Sequence, residues 1–278
     1  MPELSVVIPT FNTASMTLRC CRAVRGAAEV IVVDDGSTDG TAELVAREAP
    51  DVRVVRLEAN RGFAVAANRG VSEARGGLIL VLNSDAMVED GALQAFVAAF
   101  ENDAKLGVAG AQLLDEDGTP QWSGGRTPTL LWISAIIFGV RRRSRRFRDA
   151  GEEVDWVSGA AMCIRREAWT PFNERYRFYC QDIDLCLRAR AAGWDVRIVD
   201  GARVVHTLGA TIAGGHKLRY DPARLWPDLL DWGRAHYGRG WGAVAKVVLV
   251  TMAWLRIVVR RDPSLIPAAR ALARSRTR

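Results

Sequence analysis

The feature that most constrains this chain is a repeated unit in its first half. A short run of β-branched and leucine residues stops abruptly at a cluster of small, amide and acidic residues. Leu4–Pro9 gives way to the cluster at Pro9–Asn12, Val30–Val33 to Asp34–Asp39, Val52–Leu57 to Asn60-Arg61-Gly62, and Leu78–Leu82 to Asn83-Ser84-Asp85. Short apolar runs bounded by turn residues predict strands, and those at Leu4–Pro9 and Val30–Val33 predict buried ones. Between them lie helical patterns at Ala14–Arg25, at Thr41–Ala49 with Asp39 as the expected N-cap, from Gly62 to about Ala74, and at Asp90–Glu101. Val108–Leu114 reads as a further strand and Asp115–Gly118 as a turn. Strand–helix alternation predicts an α/β fold with a mostly parallel central sheet, right-handed crossovers and flanking helices. In such sheets ligands sit beyond the carboxyl ends of the strands, where the polar clusters fall.

Composition narrows the class. With 278 residues, 49% hydrophobic and 25% charged, the chain can bury a sizeable core and is not disordered. Its five cysteines, Cys20, Cys21, Cys163, Cys180 and Cys186, contain no CxxC pair, which argues against a disulfide scaffold or zinc site and for a reducing, cytosolic compartment. The N-terminus has no basic region before Leu4–Ile8, so no signal peptide is expected.

Charge is segregated. His216–Arg278 carries 13 Lys/Arg against 4 Asp/Glu, leaving the first 215 residues at −3. Within those, Arg141–Arg148 holds six arginines and no acid. Each basic cluster adjoins an apolar run, Leu130–Val140 or Ala243–Val259, and both runs fall short of the ~20 apolar residues a bilayer span needs. Apolar segments flanked by arginine suit a helix lying on an anionic leaflet. The expected organisation is a body at 1–215 and a basic, amphipathic helical tail at 216–278, peripheral at the inner face of the plasma membrane. The plainer reading is a core helix with a solvated basic end. No nucleic-acid-binding motif accompanies the charge.

Five constellations could carry chemistry. Asp34 and Asp35 at a strand end can accept bonds from a base N–H or from ribose hydroxyls, and Gly36 allows the sharp turn. Asp85 in Asn83-Ser84-Asp85 is placed to ligate Mg²⁺ or Mn²⁺, ions that take few carboxylates and complete their shell on phosphates. Asp182 and Asp184 open a helical pattern, where an acid can be rigidly placed as a general base, the reading favoured for Asp182, or can favour the helix dipole, the reading favoured for Asp184. His206, in a loop after the strand Asp195–Val199, could share an ion with Asp85. Asp155–Ala161 offers small residues for close approach of a ligand, with Trp156 as a wall for an acceptor.

Together, and in this order, these stretches resemble the family 2 glycosyltransferases of GT-A fold. The matching text is SVVIPTFN at 5–12, VVDDGSTDGT at 32–41, NRGFAVAANRG at 60–70, ILVLNSDA at 79–86, VSGAAMCIRR at 157–166, QDIDLCLRARAAGW at 181–194 and VVHTLG at 204–209. The chain looks most like the bacterial rhamnosyltransferase-like branch that builds cell-wall and surface polysaccharides. The resemblance implies an inverting transfer from a nucleotide-sugar donor, of the dTDP-rhamnose or UDP-sugar type, to a glycan or polyprenyl-diphosphate-linked acceptor, with a divalent metal as cofactor. It implies that Thr10, Asp34, Asp35, Asn60, Gly62, Asn68 and Asn83 surround the donor. Asp85 and His206 would hold the metal, and Asp182 would be the catalytic base. Trp156, Ser158, Gly159, Gln181 and Asp184 would meet the acceptor. Two positions depart from the usual pattern: Asn83-Ser84-Asp85 has a single metal carboxylate, and Gln181 stands where the family more often has Glu. A nucleotide-binding oxidoreductase is disfavoured, because Pro9–Asn12 occupies the place of a GxGxxG turn. A non-catalytic glycan- or nucleotide-binding scaffold of the same fold is the alternative.

Overall fold

A computed structural model describes residues 3–138, 153–176, 178–207 and 221–275. The chain forms two compact units: Met1–Arg126 with Arg145–Arg177 and Gln181–Ala213, and Thr127–Ser144 with Phe178–Cys180 and Gly214–Arg278.

The first unit is the α/β body. In chain order it runs β1 (Leu4–Thr10), α1 (Ala14–Ala23), β2 (Glu29–Asp34), α2 (Thr41–Glu48), β3 (Arg53–Arg56), α3 (Phe63–Glu73), β4 (Leu78–Leu82), β5 (Ala86–Val88), α4 (Ala92–Asn102), β6 (Leu106–Leu114) and β7 (Gly124–Gly125). Next comes α5 (Leu130–Phe138) of the second unit, and the body resumes with β8 (Trp156–Val157), β9 (Ala161–Arg165), α6 (Gln181–Ala191) and β10 (Asp195–His206). Eight strands form one sheet in the order β3-β2-β1-β4-β9-β6-β10-β5, while β7 and β8 pair separately. The neighbours β3, β2, β1 and β4 are parallel, β9 is antiparallel to both β4 and β6, β10 is parallel to β6, and β5 is antiparallel to β10. The sheet is therefore mostly parallel, as the alternation predicts.

The apolar runs explain the core. Every residue of β1 and β4 is buried, and Val6, Ile8, Val32, Leu80 and Leu82 pack with Phe96 and Phe100 of α4. A fully buried side chain of this kind contributes ~1.5–3 kcal/mol. The turn after β2 needs a glycine: Gly36 has φ +76°, and a Cβ there would lie 2.8 Å from the backbone of Ala59.

Two local expectations change. Gly40, in the left-handed region, is the N-cap of α2, and Asp39 acts from one residue earlier, its carboxylate accepting from the N–H groups of Thr41 and Ala14. His206 lies on β10 rather than in a loop. The strand continues past Val199 through a register shift between Ile198 and Arg203, and Gly201, at φ +76°, interrupts the apolar pattern there.

The second unit is helical: α5 with α7 (Pro222–Tyr237), α8 (Arg239–Arg260) and α9 (Ile266–Arg274). Asp221 caps α7 by accepting from Ala223 N–H at 2.9 Å, with Pro222 at the first turn. Ala245, Leu249, Ala253 and Ile257 form the buried face of α8, which packs on α5, α7 and α9. Arg256 is buried as well, and its Nη1 donates to the Ile137 carbonyl at 2.9 Å, closing the C-terminal end of α5. The unit thus adds 127–144 and 178–180 to the tail expected at 216–278. The arginines at 141–148 and the expected boundary at 214–215 lie outside the described residues.

Candidate active site

The parallel strands deliver their polar clusters to one edge of the sheet. At the β2 end, Asp34 is fully buried; its Oδ1 accepts from Ser37 N–H at 3.0 Å, and Arg56 Nε lies 3.5 Å from Oδ2. Asp34 therefore shapes the turn. Asp35 reaches across to the next loop, accepting from Arg61 N–H and Gly62 N–H, both at 2.8 Å. Burial pushes the Asp35 carboxyl above the ordinary carboxylate range, against those two N–H bonds, and the neighbouring Asp34 adds to the rise. Asn12 joins the first two clusters: its N–H donates to Ser37 Oγ, and its Oδ1 accepts from Thr38 N–H. Beside these turns a cavity of about 370 Å³ is lined by Gly36, Ser37, Thr38, Arg56, Leu57 and Glu58.

The other residues expected at the donor disperse. Thr10 is held inward, its hydroxyl bonded to those of Thr13 and Thr17, and Thr13 in turn meets Ser84 at 3.0 Å. Asn68 grips the loop before the last third of the body, accepting from Phe172 N–H and donating to the Phe172 carbonyl and Glu174. Asn60 is exposed and Gly62 half-buried.

Asp85 and His206 come together as the sequence suggests. The antiparallel pairing of β5 with β10 sets His206 opposite Ala86, so His206 Nε2 lies 3.3 Å from Asp85 Oδ1. Both side chains are buried. Sequence reasoning missed the residue that orients the ring. Gln121 donates through Nε2 to the Leu114 carbonyl, to Asp115 Oδ1 and to the His206 carbonyl, which turns its Oε1 toward His206 Nδ1 at 3.1 Å. That oxygen can only accept, so Nδ1 carries a proton and Nε2 is the ring atom left facing Asp85. Asn83 Nδ2 also approaches Nε2, at 3.3 Å. With Nε2 unprotonated, the imidazole and the buried carboxylate would together offer two ligand atoms to a cation; with Nε2 protonated, it donates to Asp85 directly. A carboxylate oxygen with an imidazole nitrogen suits Mn²⁺ or a similar divalent ion, and the backing of Nδ1 is the arrangement metal-ligating histidines usually have. Among the described residues no group of three or more His, Cys, Asp or Glu forms, so a cation held here would take only Asp85 and His206 from residues of those types.

The acidic pair at the start of α6 divides. Asp182 faces the loop before β9: its Oδ2 accepts from Gly159 N–H at 3.0 Å and its Oδ1 from Ile183 N–H at 2.9 Å. A Cβ on Gly159 would sit 3.4 Å from Asp182 Cβ, so the small residue sets this approach. Burial raises the Asp182 carboxyl above the ordinary range, opposed by the two N–H bonds. Asp184 instead pairs with Arg188 Nε at 2.8 Å, and Arg188 also donates to the Pro171 carbonyl and the Thr170 hydroxyl. Gln181 is buried at the helix start, and the Ser158 hydroxyl accepts from Ala160 N–H. The loop carrying Asp85 and the loop carrying Gly159 are joined by Asn83 N–H donating to the Ala160 carbonyl at 2.9 Å. Trp156 is buried and donates its indole N–H to the Arg126 carbonyl, while the exposed ring of the pair is Trp122, 5.2 Å away edge-on.

A doubly wound sheet with a carboxylate–imidazole pair and a buried acid at its carboxyl edge defines a class, and comparison with known proteins identifies it. The sequence model described as glycosyl transferase family 2 matches residues 5–169. The chain is 30% identical over 217 residues, 69% of each protein, to the N-acetylglucosaminyl-diphospho-decaprenol L-rhamnosyltransferase of Mycobacterium tuberculosis. It is 31% identical over 206 residues to the poly-beta-1,6-N-acetyl-D-glucosamine synthase of Staphylococcus aureus, covering 71% of this chain and 42% of that one. Among solved structures, the mannosyltransferase PcManGT from Pyrobaculum calidifontis, in complex with GDP-Man and Mn²⁺, superposes with a TM-score of 0.59 at 17% identity, over 98% of this chain and 79% of that one. TarS 1–349 of S. aureus superposes with a TM-score of 0.57 at 18% identity, over 95% and 74%. The chain belongs to glycosyl transferase family 2, with the GT-A fold, and is rhamnosyltransferase-like within it.

Proposed function

We propose that this protein transfers a sugar, with inversion, from a nucleoside-diphosphate sugar of the dTDP-rhamnose or UDP type to a hydroxyl of a glycan carried on a polyprenyl diphosphate, at the cytoplasmic side of the membrane. The observation that carries this reading is the junction of two chemistries at one sheet edge: the Asp85–His206 pair, and Asp182 held by Gly159, tied together by the Asn83–Ala160 hydrogen bond. The named acceptor of the M. tuberculosis relative supports the acceptor class.

The chain's own groups have distinct tasks. The cavity beside Asp34–Asp39 receives the base, with the Asp35-braced loop at 60–62 closing around the nucleoside. Asp85 and His206 would hold a divalent cation, which supplies charge neutralisation at the leaving diphosphate when bound. Asp182 takes the proton of the acceptor hydroxyl as that oxygen bonds to C1, and the bond from C1 to the diphosphate breaks with its electron pair leaving on the nucleotide. A base whose carboxyl is raised by burial accepts that proton more readily, and such catalysis contributes ~10²–10⁴-fold. Gly159 and Ile183 N–H groups fix both carboxylate oxygens, so Asp182 needs no reorganisation to act.

A thermal-shift screen of nucleotide sugars with and without Mn²⁺, followed by transfer to N-acetylglucosaminyl-diphospho-polyprenol, tests the reading. A matching donor at about a hundred times its Kd stabilises by ~2.7 kcal/mol. If no nucleotide sugar raises the midpoint in Mn²⁺, the donor assignment fails. If donors bind yet neither transfer nor hydrolysis occurs, the chain is a scaffold.

A further inference from the structure

The helical unit carries a surface that glycosyl transfer does not require. Among the described residues ten large hydrophobic side chains are exposed, and nine of them belong to this unit. Six lie on α8: Val244, Val247, Trp254, Leu255, Val258 and Val259, between 39% and 71% exposed. At 3.6 residues per turn they fall within an arc of about 140°, with Thr251 near its middle. Lys246, Arg256 and Arg260 point away from that arc by the same count. The opposite face of α8 is occupied by α5, α7 and α9, so this stripe is the side of the helix the fold leaves uncovered.

The unit's charge indicates what covers it. Its residues include 16 Lys/Arg and 4 Asp/Glu, a net of +12, while the rest of the chain stands at −6. A second copy would bring the same +12 to the contact, whereas an anionic leaflet complements it. α8 is, by length and composition, able to cross a bilayer, with a third of its most apolar window buried. Crossing would strip it from its three helical neighbours and unpair Arg256 from the α5 carbonyls. Lying flat keeps both. We infer that the exposed face of α8 is a membrane-docking surface that seats in the headgroup–acyl boundary of an anionic leaflet, with Trp254 at the interface and the unit's basic side chains other than the buried Arg256 drawn to phosphates. This inference rests on the helix face and the charge, independently of the donor chemistry.

The test is co-sedimentation of the full chain with vesicles of phosphatidylglycerol and phosphatidylcholine in equal parts, and of phosphatidylcholine alone. The parent should partition at least ~10-fold more strongly to the anionic vesicles. Raising salt from ~0.1 to ~1 M, which shortens the Debye length from ~10 to ~3 Å, should remove most of that difference. Val247→Gln with Val258→Gln, both on well-exposed positions, should lower partitioning at least ~10-fold while far-UV circular dichroism and melting stay as in the parent. Acyl-brominated lipid should quench the parent's fluorescence, and Trp254→Phe should remove most of that quenching. Equal sedimentation of parent and double variant would overturn the inference, as would equal capture by neutral and anionic vesicles. So would sedimentation velocity in which the parent dimerises, the double variant is monomeric and vesicle binding does not change; the face would then belong to a second copy.

Discussion

Replacing Asp182 by Asn separates chemistry from structure, because the two effects run in opposite directions. The carboxylate accepts one N–H on each oxygen, from Gly159 and Ile183. Asparagine keeps one acceptor and turns an NH₂ toward the other donor, so one hydrogen bond is lost, at ~0.5–1.5 kcal/mol. Against this stands the raised carboxyl. An acid whose pKa is raised by folding contributes stability that is full below its unfolded value and disappears as pH rises through the folded one. Above its folded pKa, ionised Asp182 therefore supports the fold less well than its protonated form does, and Asn, which does not ionise, escapes that loss. The melting midpoint of the variant at pH 7 should consequently lie within ~2–4 °C of the parent or above it, since about 1 kcal/mol moves a domain of this size by that much. Below the carboxylate range the variant should lose ground. Sugar transfer should nevertheless fall at least ~10²-fold with donor affinity retained. The acid limb of the parent's kcat/KM profile, placed above the ordinary carboxylate range, should vanish. Transfer assays across pH, calorimetric donor titration and scanning calorimetry read all three. A variant that turns over within threefold of the parent, or keeps the acid limb, refutes Asp182 as the base.

Three further outcomes follow from the geometry. Asp85→Ala should abolish the Mn²⁺-dependent part of nucleoside-diphosphate binding in calorimetry; an unchanged titration removes Asp85 from the metal site. Gln121→Leu should weaken Mn²⁺ binding ~10–100-fold without touching a ligand, because His206 loses the acceptor that fixes its tautomer, and equal affinity would show the ring needs no such partner. In the helical unit, burial lifts the Asp228 carboxyl to about 6 despite N–H bonds from Tyr179 and Phe178, so its contribution is full near pH 4 and lost as pH rises through about 6. Asp228→Asn should thus gain in melting temperature relative to the parent as pH rises over that window, and a pH-independent difference would refute the assignment.

What was legible in the sequence is what local chemistry encodes. The runs that became β1, β2 and β4 are buried on both faces, so their apolar continuity survives in the text, and their ends coincide with the polar clusters. The pairing of Asp85 with His206 was anticipated because both sit in motifs. Their actual link, the β5–β10 pairing, was invisible, since three-residue β5 has no periodicity and Gly201 breaks the pattern of β10. Gln121 carried no local signal: it reaches His206 only because Leu114 pairs with Pro120 and folds the turn back on β6. Asp182 and Asp184 look alike two residues apart. A helix turns them about 200° apart, toward Gly159 and toward Arg188 respectively. The helical tail was readable as apolar and basic, while the stretch 127–138 joins it only through tertiary packing.

The antiparallel strand β9 gives the order in which such a body can be assembled. β1 to β4 find one another within the first 82 residues, but β6 cannot join them until a segment from positions 161–165 returns to lie between it and β4. Loop closure over that distance is slow compared with the local crossovers before it. The same insertion brings Ala160 to Asn83 and leaves Gly159 beside Asp182. Until that insertion is made, the turns after β1 and β2 can form while Asp182 lacks its Gly159 partner.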